Sequence, residues 1–433
     1  MVFTIFDTIT AIPAVILQLW WLWLFIALFL LARSLWLAYA QEIFKKKNSW
    51  MLLELQIPRE VERNPRAMEQ VFMAIHSVKN SPATAKEKWW YGEGPLWFSC
   101  EAVSFGGEIH FYFWTPSKHR NMIEAAFYAN YPDVEIREAS DDYIYRFPPT
   151  FRELAGQGYD IFGNELVLSK EDAYPIRTYI DFEAKQEEFQ LDPIASLFEI
   201  LTKVKPQEHV WIQFLIRPKV DDSWKKSGEK LIAELKEKVG RRQVMTSFGE
   251  MVMIDRTPGE TEVMKLIEKN IEKPGFDAVI RYLYIAPKDI YDSNFGQRAV
   301  QGALNQYASE ALNKFGHNVF AWTRASLWFW PYLFPDKRTR ARKDRMYFKF
   351  RLRKMYGESI MSALAEMKFF DWGTRAWKKS KMVLNVEELA TIFHIPMKVV
   401  LTGPLIKRIE ARRVGPPAGL PIYEDEDEKL PGT

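Results

Sequence analysis

Several features that would indicate a secreted or a catalytic protein are missing from this sequence. Among 433 residues there is one cysteine, Cys100, which excludes an internal disulfide framework and fits a reducing compartment. No G-x-x-x-x-G-K-[ST] motif occurs, and H-E-x-x-H, C-x-x-C and G-x-S-x-G motifs are missing too. The six histidines are dispersed along the chain, with no two at ligand spacing on one helix. We therefore expect no metal, no cofactor and no catalytic activity of its own.

Charge is missing from one long stretch near the N-terminus. No charged residue lies between Asp7 and Arg33, and a helix of about 25 residues rises about 37 Å, enough to cross a hydrocarbon core of about 30 Å. Three lysines follow at 45–47, so the positive-inside rule places the N-terminus outside and the body in the cytoplasm. We predict a single-pass transmembrane helix over 8–38, in the cytoplasmic membrane.

Two other interpretations of this stretch compete with a membrane anchor. A cleaved signal peptide is suggested by Ala38-Tyr39-Ala40, which resembles a small-x-small cleavage site, but no basic residue precedes Arg33. A buried core helix is disfavoured because no helical face of the stretch is polar. The anchor is the interpretation that we carry forward.

Residues 48–145 show the pattern of a small α+β module. A strand over 50–57 is followed by a helix that opens at Asn64-Pro65, an irregular loop over 80–94, and a hairpin about Gly106-Gly107. A second helix over 117–130 and a strand over 134–138 complete the order β-α-β-β-α-β. This order is typical of the ferredoxin-like fold, which we predict here.

Residues 160–315 repeat these pieces less regularly. We predict strands over 176–182, 210–217 and 276–285, and a helix that opens at Asp192-Pro193. A very polar helix over 223–239 has the pattern of an insertion, and further helices are predicted over 260–272 and 294–315. We predict a second ferredoxin-like module with a helical insertion, so the fold class is α+β.

Residues 316–400 differ in composition from both modules. An aromatic, proline-broken stretch over 327–335 is followed by 337–354, where ten Lys or Arg residues stand against one Asp. Such cations would neutralise nucleic-acid phosphates or attract anionic lipid headgroups, and a solvated helix with its aromatics on a core or a partner is the third interpretation. The candidate binding residues are Arg338, Arg340, Arg342, Lys343, Arg345, Lys349, Arg351, Arg353 and Lys354.

A short helix and a polar tail end the sequence. Asn385 with Glu388 three residues on predicts a capping box, which opens a helix over 386–394 that ends before Pro396. From 414 to 433 the chain is Pro/Gly-rich and then acidic, a composition typical of disorder.

The stretch 384–396, Leu-Asn-Val-Glu-Glu-Leu-Ala-Thr-Ile-Phe-His-Ile-Pro, resembles a block found in type IV secretion and conjugation-type DNA-transfer ATPases. In those proteins the block precedes a P-loop motor domain of HerA/FtsK type, and 415–421 resembles their Pro-rich connection. The stretch 57–70, from Ile57-Pro58-Arg59-Glu60 through Ala67-Met68-Glu69-Gln70, is also similar to the membrane-linked N-terminal region of that family. The residues that carry the resemblance are Asn385, Glu387, Glu388, Leu389, His394 and Pro396.

The motor motifs of that family are missing here, so no catalytic residue is carried over. The resemblance implies a membrane-anchored, non-catalytic subunit of a DNA translocation apparatus, with a separate P-loop ATPase, membrane lipid, DNA and copies of itself as partners. The alternative, from another class, is a membrane scaffold whose basic-aromatic segment binds anionic lipid and no nucleic acid.

Overall fold

The structure, a computed structural model, describes most of the 433-residue chain. The described residues are 20–57, 63–79, 84–182, 192–237, 241–246, 249–254, 257–319, 321–324, 334–355 and 381–397. The aromatic stretch over 327–333 and the tail over 414–433 lie outside these ranges.

The first described helix, α1, runs from Trp20 to Lys47. Its 28 residues span about 42 Å, and its large apolar side chains face outward, with Phe25 66% exposed. By length and composition α1 is apolar enough to cross a membrane. It continues nine residues beyond the predicted limit at 38, and the predicted span before Trp20 lies outside the described residues.

Among the described residues, seven α-helices and β-strands follow α1 and form the first half of the body. They are β1 (Trp50–Gln56), α2 (Pro65–Ser77), α3 (Ala85–Trp89), β2 (Phe98–Phe105), β3 (Glu108–Pro116), α4 (Arg120–Asn130) and β4 (Glu135–Glu138). The strands lie in the order β4-β1-β3-β2, with each neighbouring pair antiparallel. The strands and helices predicted for this half are confirmed, and α3 is an addition within the predicted loop.

Local sequence explains the main elements of the first half. Pro65 occupies the first turn of α2, and the apolar residues at helical spacing are all buried: Met68, Val71, Phe72 and Ile75. Gly106 and Gly107 have φ of +58° and +95°, as a tight hairpin requires. Asn64 stands at the N-cap position, but its side chain makes no capping hydrogen bond.

In the second half of the body, the described residues form eleven α-helices and β-strands. They are α5 (Phe151–Gly156), β5 (Tyr159–Leu168), α6 (Ala195–Thr202), β6 (His209–Pro218), α7 (Ser223–Glu237), β7 (Arg241–Thr246), β8 (Gly249–Ile254), α8 (Pro258–Glu272), β9 (Gly275–Pro287), α9 (Ser293–Leu304) and β10 (Phe315–His317). Four strands lie in the order β10-β5-β9-β6, again antiparallel. The two halves therefore arrange their strands in the same order.

Two predictions for the second half are wrong. The segment 176–182 is not a strand: its backbone N–H groups bond to distant partners, Ile176 to Glu388 and Tyr179 to the Thr391 hydroxyl, and a 3₁₀ turn covers Tyr179–Phe182. The first strand of this half is instead β5. The helix predicted over 294–315 ends at Leu304, and the chain then forms β10.

The helical insertion is larger than predicted. Helices α7 and α8 pack on each other through Leu231, Ile232 and Ile267, and between them β7 and β8 pair as a separate two-stranded ribbon. The insertion leaves the sheet after β6 and returns to it at β9.

One sheet joins the two halves. Strand β2 pairs antiparallel with β6, from Phe98↔Ile216 to Phe105↔His209, so the strand order is β10-β5-β9-β6-β2-β3-β1-β4. Residues Met382–Asn385 form β11, which pairs with the first residues of β9, while β5 pairs with the later ones. The order is palindromic about the β2–β6 pair.

The two faces of the sheet carry different layers. One face packs on α2, α4, α6, α9 and the last helix, α11 (Val386–Ile392), in the largest apolar core. The other face packs on α5 and on the basic helix α10 (Pro335–Arg351), whose buried residues are Met346, Tyr347 and Phe350. The basic segment is thus a sheet-covering helix.

Candidate functional site

The basic helix α10 is the element that presents the predicted binding residues. Pro335 opens it and Asp336 lies in its first turn, both favourable at a helix N-terminus. Its apolar residues are few, and Met346, Tyr347 and Phe350 meet the sheet. The close approach requires Gly163 on β5, because a Cβ there would lie 2.8 Å from Met346.

A row of buried polar side chains crosses the sheet beneath the C-terminal end of α10. Glu165, Arg281, Gln213 and Glu101 are direct cross-strand neighbours on β5, β9, β6 and β2, and all four are fully buried. Arg281 pairs with Glu165 at 2.8 Å and donates to the Gln213 side chain at 3.2 Å. Gln213 in turn donates to Glu101 at 2.9 Å. Every charge in this row has a partner, as burial demands.

This polar row holds the end of α10 by its carbonyl groups. Arg281 donates to the carbonyls of Lys349 at 3.1 Å and Lys354 at 3.2 Å, and Gln213 donates to that of Phe350 at 3.3 Å. A cation at these carbonyls favours the negative end of the helix dipole. The position of α10 is therefore set by directional hydrogen bonds as well as by apolar contact.

Arg353, predicted as a phosphate-contacting residue, belongs to the interior. Its guanidinium donates to both Glu101 oxygens at 2.7 and 2.9 Å and also to Asp142, and the residue is 3% exposed. Burial alone would lower the pKa of Arg353, but Glu101 and Asp142 raise it well above its ordinary value. Its backbone is left-handed, with φ +45°. A guanidinium that is buried and paired with two carboxylates does not reach a ligand at the surface.

Three more of the predicted cations bind within the chain. Arg342 donates to the carbonyl of Arg324 at 2.9 Å, and Arg351 donates to that of Ile144 at 2.6 Å. Lys343 forms an ion pair with Asp160. These contacts attach α10 to the body. The three side chains are therefore already engaged within the protein, which makes them weaker candidates for binding a ligand than the sequence suggests. Arg338 and Lys349 are half-buried.

The remaining cations, together with two exposed apolar side chains, form a surface that we call the outer strip of α10. Its members are Lys337, Arg340, Arg345 and Phe348, which are exposed on α10, and Leu352 and Lys354, which are exposed directly after its end; one acidic residue, Asp344, is exposed among them. Phe348 is 56% exposed and Leu352 51%, so both add apolar area to the strip. The strip combines positive charge with apolar area, a pairing suited to a polyanion that also offers apolar surface.

The C-terminal end of α10 adjoins the end of α1. The Trp97 indole N–H donates to the carbonyl of Arg353 at 2.8 Å, and the Lys45 ammonium of α1 lies 5.3 Å from the centre of the Trp97 ring. Trp97 thus bridges the two helices. The outer strip begins near α1 and runs away from it along α10.

The block over 384–396 is built into the body. Asn385 and Glu388 form the predicted capping box, at 2.8 and 2.9 Å, and α11 ends at Ile392, two residues earlier than predicted. Glu387 pairs with Lys273, which also binds Glu69 of α2 at 3.0 Å. Leu389 is buried in the main core. The block therefore ties both halves of the sheet together.

His394 fastens the end of the block. It is fully buried, with Nδ1 2.8 Å from the carbonyl of Ala390 and Nε2 2.8 Å from the Asp192 carboxylate. Because both ring nitrogens face acceptors, the arrangement fits an imidazolium that donates to each. Asp192 also accepts from the N–H of Met397 at 2.8 Å, one residue after Pro396. His394 thus links the end of the block to Asp192, inside the protein.

The polar row is the feature that sequence reasoning missed. Glu101 follows Cys100 in β2, and alternation places it on the face opposite the main core, which the sequence suggests is solvated. Nothing local indicates that a helix some 240 residues later would cover it. Among the described residues, no group of three or more His, Cys, Asp or Glu side chains is placed to hold a metal ion.

The described architecture defines a class of mixed α/β protein with one helix apolar enough for a membrane and a single antiparallel main sheet. The model of a family described as a domain of unknown function, DUF8128, matches residues 32–313, well over half of the chain. The chain belongs to this family. The match covers the last part of α1 and the body from β1 to α9, and β10, α10 and the block lie beyond it. A search of the curated proteins finds no match.

Proposed function

We propose that the protein is a membrane-anchored, non-catalytic subunit of a DNA translocation apparatus of the type IV secretion or conjugation kind, which docks a separate P-loop ATPase. The observation that carries the proposal is the outer strip of α10, cationic and partly apolar, held rigidly by the polar row beneath it. The resemblance of 384–396 to the block that precedes HerA/FtsK-type motors supports the choice of partner.

We also propose that each half of the body is a ferredoxin-like module. The element order β1-α2-β2-β3-α4-β4 and the strand order β4-β1-β3-β2 support this for the first half. The second half has the corresponding order β10-β5-β9-β6, with the insertion between its second and third strands. In this proposal the anchor keeps both modules at the cytoplasmic surface, with the N-terminus outside.

DNA binding tests the outer strip directly. The variant Arg340→Ala/Arg345→Ala removes two exposed cations and leaves the buried contacts of α10 in place. We expect weaker binding of labelled duplex DNA by fluorescence anisotropy, and a slope of log K against log salt smaller by about two. Lys226→Ala/Lys230→Ala on α7 is the matched control, since both lysines are exposed on another helix. Equal affinities for the two double variants would remove DNA from the proposal.

The ATPase is tested by capture from native membranes. Chemical cross-linking of the tagged full chain, followed by purification and mass spectrometry, should recover a P-loop translocase, and Arg340→Glu/Arg345→Glu should recover less of it. The purified chain alone should not hydrolyse ATP. Hydrolysis that survives repeated purification would contradict a non-catalytic subunit.

A second candidate is a membrane scaffold that binds anionic lipid through α10. The contact of Trp97 with both Lys45 and the Arg353 carbonyl favours it, because it brings the C-terminal end of α10 close to the lysines in the last turn of α1. An environment-sensitive dye on Phe348→Cys, in nanodiscs of neutral or anionic lipid, separates the candidates. A blue shift with anionic lipid alone supports the scaffold, and an unchanged spectrum favours the DNA and ATPase partners.

A further inference from the structure

The C-terminal part of α1, from Arg33 onward, contacts the body. Arg33 is the first charge after the apolar stretch, and its guanidinium lies 4.3 Å from the centre of the Trp89 ring at the end of α3. One turn later, the Trp36 indole donates to the carbonyl of Trp89 at 2.7 Å. Further along, Gly92 touches the backbone of Ala40 so closely that a Cβ would lie 2.2 Å from it. The segment 89–92 thus runs beside α1 from Arg33 to Ala40.

These contacts set the depth of α3 relative to a bilayer. If the hydrocarbon layer ends near Arg33, then Trp36 lies about 4.5 Å beyond it along the helix axis. The headgroup layer on each side of a bilayer is about 5–7 Å thick. Trp89 and Trp90, which contact Arg33 and Trp36, therefore fall within that layer.

The side chains around this contact are aromatic and turned outward. Trp90 is 67% exposed, Tyr91 52%, Tyr39 61% and Trp36 44%. The Trp36 ring lies 5.6 Å from that of Trp90 and 6.2 Å from that of Tyr39, so the group is continuous with the apolar surface of α1. Exposed Trp and Tyr of this kind are enriched at membrane–water interfaces, where the ring is apolar and its N–H or O–H meets water.

Positive charge lies beside these rings. Lys86 and Lys88, on the five-residue α3, are both exposed, and the Lys86 ammonium lies 5.7 Å from the centre of the Tyr91 ring. Lysine at headgroup depth binds lipid phosphates. A capping box between Thr84 and Glu87 holds α3 in shape without help from a ligand.

We infer that residues 84–91, together with Trp36 of α1, form a membrane-interface surface that lies in the lipid headgroup layer and binds phospholipid headgroups. The inference rests on the proposed membrane anchoring by α1. It gives the body a second attachment to the bilayer, beside the helix, so that the sheet is held at a fixed tilt and does not swivel on α1.

The test measures the depth of spin labels in the full chain reconstituted into liposomes. Cys100 is fully buried, so a thiol reagent labels only an introduced cysteine. The probes are Trp90→Cys and Tyr91→Cys. Leu28→Cys in α1 reports lipid, and Gln207→Cys reports water, because it lies at the end of the sheet near Gly106, opposite the end that α1 enters.

The expected result is a ratio of oxygen to nickel-chelate collisions at positions 90 and 91 that lies between those of the controls and is about tenfold above that at 207. A ratio at 90 equal to that at 207, with the label at 28 in lipid, overturns the interface surface and leaves the anchor intact. Labels at 90 shielded from both reagents also overturn it, since a protein then covers the rings. A label at 28 open to water refutes the anchor itself.

Discussion

Glu101 binds several of the buried polar groups beneath α10. It accepts hydrogen bonds from Arg353, Gln213, Ser99 and the Tyr143 hydroxyl, the last at 2.9 Å. Burial, with Glu101 close by, raises the pKa of Tyr143 well above its usual value, so the phenol stays protonated and donates. A single carboxylate therefore keeps four groups satisfied.

Replacing Glu101 should be severely destabilising. In Glu101→Ala, Arg353 keeps only Asp142 as an anionic partner, and we expect the free energy of unfolding to fall by about 3–5 kcal/mol. The measurement is urea unfolding of the full chain in detergent, followed by tryptophan fluorescence. Glu199→Ala is the control. The Glu199 side chain is 65% exposed, so its ion pair with Lys203 should contribute at most about 1 kcal/mol. Similar losses for both variants would refute the role given to Glu101.

The Asp192–His394 pair predicts a loss of stability in acid. Burial alone would raise the pKa of Asp192, but His394 and two backbone N–H groups outweigh it, and the net pKa is lowered. The stabilising contribution is therefore complete above the ordinary Asp pKa of about 4 and is lost as the pH falls through the lower, folded value. Asp192→Asn should be less stable than the native chain at pH 7, and this difference should shrink below about pH 4. Urea midpoints between pH 3 and 7 give the comparison, and a difference that stays constant over this range would contradict the pairing.

Among the elements, α2 and β5 show what the sequence reveals and what it hides. The apolar spacing of α2 and the proline that opens it are local, so the helix is predictable. In β5, Gly163, Asn164 and Glu165 interrupt the alternation, and we missed the strand. Contacts with distant residues explain these residue types: Gly163 leaves room for Met346, and Glu165 pairs with Arg281. Local patterns do not carry such long-range demands.

The same reason limits prediction of the candidate site. The sequence shows ten cations between Lys337 and Lys354, but it does not show which side of the helix meets the sheet, since only three of its apolar residues are buried there. The capping box at Asn385, which is local, was predicted and is confirmed. The partners of the helix that it opens come from remote parts of the chain and were not foreseen.

The α11 helix predicts a second pH dependence, of opposite sign. Burial raises the pKa of Glu388 to about 8, in spite of the backbone N–H groups of Asn385 and Ile176 that bond to it. Between the ordinary value and about 8 the folded state holds a proton that the unfolded chain releases. Stability should therefore fall as the pH rises through this range, by at most about 1.4 kcal/mol per pH unit.

Glu388→Gln tests this dependence, because an amide does not titrate. We expect a lower melting temperature at every pH, since one N–H loses its acceptor, and a flatter decline between pH 5 and about 8 than in the native chain. Asp172, whose pKa burial raises to about 6, titrates in both proteins and cancels in the comparison. A variant with the native slope would show that Glu388 is ionised throughout.

For the whole molecule, α1 predicts where the protein resides in a cell. Leu24→Arg/Leu28→Arg places two charges in the middle of the apolar helix, each costing about 2.5–3.5 kcal/mol at the centre of a membrane. The native chain should stay in the membrane pellet after alkaline carbonate extraction, and the double variant should be released. Leu24→Ala/Leu28→Ala, which keeps the helix apolar, should stay in the pellet. Release of the native chain would refute a transmembrane anchor.

The palindromic strand order has a consequence for how the molecule meets its neighbours. Two rims of the sheet are the fourth strand of a half: β4 is four residues long, with its own Glu135 and Arg137 paired at 2.7 Å, and β10 has three residues. A third rim strand, β11, is also four residues long and lies beside the start of β9. Strands this short resist the addition of a foreign strand, and the charges of β4 add to this resistance. At these rims, recognition of a neighbouring molecule therefore depends on side chains more than on backbone pairing.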